Sequence, residues 1–156
     1  MTKQDNYNTP KIALEHLLNY IEPLMPIWMP FYNDGSVKKQ MEDVGFLDVF
    51  HEDKDFFTYN LEERLVIDNP PYSIKEKVIE HLYKQNRPFS LLLPMDTLER
   101  KYMLKYQKNL QVLIPPIRYD YNEKEGKKSQ PPFKSVWICW NMKEILNTNK
   151  ELIFME

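Results

Sequence analysis

Short apolar runs with strand character alternate along the chain with amphipathic, helix-like segments, and most connectors between them are brief. The strand candidates are PIWMPF (26–31), FLDVFHED (46–53), PFSLLLP (88–94), LQVLIPP (110–116), SVWICWNM (135–142) and the run Leu65, Val66, Ile67, with KDFFTYN (54–60) as a rudimentary further strand. The helix candidates start with NTPKIALEHLLNYIEP (8–23), with Thr9 as cap, Pro10 at the first helical position and Pro23 beyond the end. VKKQMEDVG (37–45) follows, stopped by Gly45. SIKEKVIEHLYKQNR (73–87) places Ile74, Val78, Ile79 and Leu82 at helical spacing, and MDTLERKYMLKYQKN (95–109) opens on Asp96 as cap. Strands alternating with helices predict βαβ units, hence an α/β open sheet with mostly parallel strands. No internal repeat or linker divides residues 1–156, which read as one domain.

Several function classes drop out on composition. The single Cys139 excludes an intrachain disulfide and a multi-cysteine zinc site, and His16, His51 and His81 are scattered without metal-ligand spacing. No apolar run approaches the ~20 residues of a membrane span, and no leader pattern opens the sequence, so a soluble, cytoplasmic protein is expected. A net charge of −2 lacks the basic excess usual in nucleic-acid binders, so any such contact depends on a local patch. The patches on offer are Lys38/Lys39, Lys75/Lys77, Arg100/Lys101 and Lys124/Lys127/Lys128.

Three glycines against twelve prolines mean that proline shapes most tight turns here. The Leu65–Ile67 run ends on such a turn, DNPPYS (68–73). Pro70 and Pro71 lock φ and lack an N–H, which fixes the loop and leaves its carbonyls as acceptors. The Asn69 side-chain oxygen and the Pro70 carbonyl, held side by side, can accept both hydrogens of an NH2 group. Tyr72 adds a face on which a planar base can stack. In an open α/β sheet both this elbow and PFYNDGS (30–36) fall on the carboxyl rim of the strands, where ligands bind.

DNPPYS resembles the Asn/Asp-Pro-Pro-Tyr motif of S-adenosylmethionine-dependent methyltransferases that modify amino or amide nitrogens. WMPFYNDGS, one strand–helix unit upstream, is similar to the Pro-Phe-x-Gly-x-Gly cofactor loop of the adenine-amino group, and YNTP (7–10) to the Tyr-x-Thr-Pro element before that loop. IWMPFYNDG, EDKDFF and NPPYS together look like small methyltransferase-like proteins of viruses and phages. The resemblance spans about residues 7 to 141. It implies a Rossmann-like class I methyltransferase open sheet, mostly parallel with an antiparallel strand near the C-terminus.

It also implies a site. Asn69, Pro70, Pro71 and Tyr72 would be catalytic. Tyr7, Thr9, Pro30, Phe31, Asn33 and Gly35 would form the S-adenosylmethionine pocket. Glu52 or Asp53 would bind the ribose hydroxyls, and Asp55 with Phe56 or Phe57 would meet the adenine. A base within a duplex would have to be flipped out to reach the elbow.

The sequence departs from that pattern at two positions. Asn33 stands for the first glycine, a residue that tolerates positive φ but carries a side chain into the cofactor's approach. Met29 replaces the acid that often precedes Pro-Phe. Positions 36 to 68 leave no space for a target-recognition domain, so RYDYNEKEGKKSQPPFK (118–134), with Tyr119, Tyr121 and Phe133 among its lysines, is the candidate substitute, or a partner protein supplies recognition.

The expected substrate is adenine in DNA or RNA. The alternatives are a methyltransferase fold that serves only as a binding protein, with Trp137 and Trp140 available to an interface, and a protein-glutamine methyltransferase. KELIFME (150–156) reads as an extra strand or a dimer contact.

Overall fold

The computed structural model describes residues 8–60, 63–121 and 133–156. Seven strands among them form one sheet: β1 (Ile27–Trp28), β2 (Val49–Phe50), β3 (Leu65–Asp68), β4 (Phe89–Pro94), β5 (Leu110–Ile114), β6 (Ser135–Trp140) and β7 (Leu152–Phe154). Their order is β2-β1-β3-β4-β6-β5-β7. All neighbours pair in parallel except at β6, which runs antiparallel to both β4 and β5. The chain is thus a Rossmann-like, mostly parallel open sheet with an antiparallel strand near the C-terminus, as the sequence leads one to expect.

Both sheet faces are covered, which is why the strands are apolar at consecutive positions rather than alternate ones. On one face, α1 (Lys11–Leu18) and α2 (Val37–Val44) bring Leu14, Leu17 and Met41 onto Ile27, Ile67, Leu92 and Trp137. On the other, α3 (Lys75–Lys84) sets Val78, Ile79 and Leu82 against Val66, Leu91, Leu93 and Trp140. Successive leucines of β4 therefore serve opposite cores, Leu92 the first and Leu91 and Leu93 the second. Gly45 ends α2 at φ 126, a value no side chain accepts comfortably, and its Cβ would meet Leu18.

Four local expectations need correction. Thr9 does not cap α1. Pro10 holds that position in extended conformation, with no side-chain cap bond. KDFFTYN forms a turn, closed by the Thr58 and Tyr59 amides on the Asp55 carbonyl. The 95–109 segment is two 3-10 stretches, Met95–Glu99 and Lys101–Asn109, parted by Arg100 at ψ 138, and Pro94 rather than Asp96 holds its cap position. Trp137 and Trp140 are both buried, so neither is available to an interface. The KELIFME tail contributes β7, and Phe154 on that sheet edge is 71% exposed. After β6 comes the short α4 (Lys143–Leu146). No helix among the described residues is long and apolar enough to cross a membrane.

Replacing Leu92 with alanine leaves a cavity in the core under α1 and α2. It is expected to lower the unfolding free energy by about 2–5 kcal/mol in urea denaturation. Leu104→Ala, at a site 66% exposed, is expected to stay within about 0.5 kcal/mol.

Candidate active site

β1 pairs with β2 on one side and with β3 on the other. The chain leaves β1 first toward the near edge of the sheet, at β2, and then continues on its other side, at β3, so a crevice opens at the carboxyl ends of β1 and β3. The two segments leaving those ends are Met29–Pro30–Phe31 and Asn69–Pro70–Pro71. Between them lies a cleft lined by Asn8, Thr9, Phe31, Asn33, Asp68 and Asn69, with Tyr32 at its side. Its free volume is about 20 Å³, room for a water and far short of a nucleoside. A wider groove, about 930 Å³, runs between α3 and the 101–109 segment, where it touches Phe57, Glu76, His81 and Tyr102. That groove lies along a helix flank rather than at the strand ends, so its size alone does not make it the reaction centre.

Asp68, the last residue of β3, is fully buried and ties the two exits together. One carboxylate oxygen accepts the Phe31 amide at 2.7 Å, and the other accepts the Asn69 amide at 2.7 Å. Burial disfavours the charged carboxylate, while the two N–H donors favour it. Burial is the larger effect and pushes the Asp68 pKa up to about 7. The sequence reading passed over this residue, although an acid closing an otherwise apolar strand is a visible signal.

The loop after β1, expected to hold the cofactor, departs from the family pattern in shape as well as in sequence. Asn33 does adopt positive φ, 52, and Gly35 follows at 78. The Asn33 side chain crosses the cleft and donates to the Asn8 side-chain oxygen at 2.6 Å. Asp34 is folded back on the backbone N–H and hydroxyl of Ser36, at 3.0 and 2.6 Å. The Met29 side chain is buried in the core. The Met29 backbone carbonyl accepts a hydrogen from His51 Nδ1 at 2.8 Å.

The other residues assigned to the cofactor scatter more. Thr9 is buried and lines the cleft, whereas Tyr7 lies outside the described residues. Pro30 is buried and Phe31 half-buried, its ring 5.0 Å from that of Phe56. Phe56 is a core residue packed on Trp28 and His81, with Phe57 edge-on to it. Asp55 accepts the Phe57 amide at 2.9 Å within its own turn. Glu52 and Asp53 are exposed just past β2. The side chain that meets the β1 exit from β2 is His51, which no linear motif marks, and Tyr32 beside it fills a variable position of the WMPFYNDGS loop.

The elbow holds its shape from both sides. Pro70 is buried, Asn69 half-buried, and Tyr72 opens a 3-10 turn (Tyr72–Ile74) that runs directly into α3. The Tyr72 hydroxyl donates to that of Tyr121 at 3.3 Å, and Tyr121 is in turn bonded to the Ser135 hydroxyl at 2.6 Å. Phe133 stands edge-on to Tyr72, with ring centroids 5.8 Å apart. Both ends of the 118–134 stretch therefore meet the elbow. Tyr119 does not join them: it is buried in the core with its hydroxyl 2.7 Å from His16 Nδ1. Lys124, Lys127 and Lys128 lie outside the described residues.

The sequence matches no protein-family model and no curated protein. Among solved structures the chain is similar to a dimethyladenosine transferase from Plasmodium falciparum, with a TM-score of 0.56 and 13% identity over 86% of this chain. It spans 62% of that protein's chain. At this identity the likeness carries the fold alone.

Asp68 has a consequence for stability. The folded chain holds its proton up to about pH 7, whereas the unfolded carboxyl releases it near 3.8. Stability is therefore present in full at low pH, falls as pH rises across that window, and is level above it. The loss through this group is of order 4 kcal/mol. Thermal melts at pH 5 and pH 8 are expected to show the higher Tm at pH 5, and Asp68→Asn is expected to reduce that difference.

Proposed function

We propose that the chain is a methyltransferase that uses S-adenosylmethionine to methylate an exocyclic amino group, with adenine in DNA or RNA as its target. The observation that carries this reading is the position of Asn69–Tyr72 at the switch point of the sheet, tied through Asp68 to the loop that leaves β1. The resemblance of DNPPYS to the amino-methyltransferase motif and the fold shared with a dimethyladenosine transferase support it independently. We read residues 1–156 as one methyltransferase-like domain of the small viral or phage type, in which positions 36 to 68 hold no target-recognition insert.

In this reading the cofactor, when bound, supplies an electrophilic methyl group. The lining suits such a molecule, since Phe31 offers a flat apolar face while Thr9, Asn33 and the Asn8 amide offer hydrogen bonds. Thr9 and Tyr7 would face its amino-acid end, Pro30, Phe31, Asn33 and Gly35 its middle, and Glu52 or Asp53 its ribose. Asp55 and Phe56 would serve its adenine. In the present shape the cleft is too narrow for it, and Tyr32 and Asn33 have to move.

The chain's own contribution is orientation. The Asn69 side-chain oxygen and the Pro70 carbonyl accept the two amino hydrogens, which fixes the nitrogen and turns its lone pair toward the methyl donor. Tyr72 stacks on the base, and Phe133 and Tyr121 border the space beside it. Fixed acceptors and a positioned base lower the barrier through proximity and preorganised electrostatics. Nucleic acid is the partner in this account, and a further protein would supply target recognition.

A second reading, a methyltransferase fold retained for binding alone, is favoured by the clasp of Asn33 on Asn8 across the cleft. One experiment separates the two. Labelled methyl transfer from S-adenosylmethionine to single-stranded DNA and RNA is expected to occur. Asn69→Ala is expected to slow it by about 10²–10³-fold while S-adenosylhomocysteine still binds. Binding without transfer to any nucleic acid would favour the second reading.

A further inference from the structure

His51 directly follows β2 and is buried, at 6% exposure. Its Nδ1 faces the Met29 carbonyl oxygen at 2.8 Å. A carbonyl only accepts, so Nδ1 carries the hydrogen, and the tautomer this bond selects has Nε2 as its acceptor. That nitrogen is buried with no hydrogen-bond partner among the described residues, which is an unfavourable state for a polar atom. Over the imidazole lies the ring of Tyr32, at 5.0 Å between centroids and 23° between planes.

Tyr32 also lines the cleft. Its hydroxyl fills the space above Gly35, 2.5 Å from where a Cβ on that glycine would stand. Tyr32 is itself 37% exposed, so part of the residue already faces solvent, and displacing it uncovers His51. A flat ring, a buried acceptor beneath it and a cleft too small for a nucleoside thus meet at the carboxyl ends of adjacent strands.

We propose that Tyr32 is a built-in plug: its ring holds the place of a nucleoside over His51, and the cofactor's nucleoside displaces it and donates a ribose hydroxyl to His51 Nε2. The inference rests on the methyltransferase reading above and moves the ribose contact from Glu52 and Asp53 to His51. The two acids are exposed beyond the strand end, whereas His51 is held in one tautomer by the β1 backbone. Cofactor affinity is then reduced by the fraction of chains in which Tyr32 covers His51, and a mutation that removes the ring restores it.

Calorimetric titration with S-adenosylhomocysteine tests the plug on the wild type, Tyr32→Ala and the double variant Tyr32→Ala/His51→Phe. Tyr32→Ala is expected to bind roughly tenfold tighter than the wild type, and the double variant to lose that gain. On the unaltered protein, the histidine side-chain ¹⁵N spectrum reads His51 directly. Its Nε2 resonance is expected to move upfield as the ligand donates a hydrogen bond to it.

Ligand that binds the wild type with the Nε2 resonance unmoved, or Tyr32→Ala binding no tighter, would overturn the plug and leave the methyltransferase reading standing. No binding by any of the three proteins would overturn both.

Discussion

The rim of this sheet is organised by one buried carboxylate. Asp68 stands at the end of a strand whose other members are apolar, and each of its oxygens accepts a backbone amide from a different loop. Charge-assisted bonds of this kind each contribute about 1.5–3 kcal/mol, which offsets part of the desolvation that raises its pKa. Because the donors are Phe31 and Asn69, the loop after β1 and the proline elbow cannot shift independently. A substitution that removed the carboxylate would leave two half-buried N–H groups without their acceptor and loosen both loops at once.

Much of the architecture was legible because strands covered on both faces need consecutive apolar residues. Leu91, Leu92 and Leu93 show why, since neighbours serve opposite cores. Gly45 marked the end of α2 for the same reason that it is needed there, a backbone angle at φ 126. The failures are local competitions that periodicity does not register. The spacing of MDTLERKYMLKYQKN is compatible with an α-helix, but Arg100 adopts extended backbone and splits it into two 3-10 stretches. KDFFTYN is rich in strand-forming side chains, yet Asp55 folds it into a turn and Phe56 goes into the core.

The candidate site divides along the same line. Asn69 to Tyr72 could be found because a diproline after a strand is a linear signal with a fixed shape. Asn33 was recognised as a departure, and its positive φ was foreseen, but its bond to Asn8 depends on a residue 25 positions away. Tyr32 over His51 is tertiary throughout: two side chains from the ends of adjacent parallel strands, with no shared motif. The aromatic border of the elbow is similar, since Phe133 and Tyr121 reach Tyr72 only after β6 returns antiparallel through the sheet.

The central claim is that a nucleoside cofactor lies across the carboxyl ends of β1, β2 and β3. An amide NMR titration of the unaltered protein with S-adenosylhomocysteine tests it most directly. The account predicts shift changes concentrated at residues 8–9, 31–36, 51–53 and 68–72. Changes confined to the groove beside α3, at Glu76, His81 and Tyr102, or no changes at all, would contradict it.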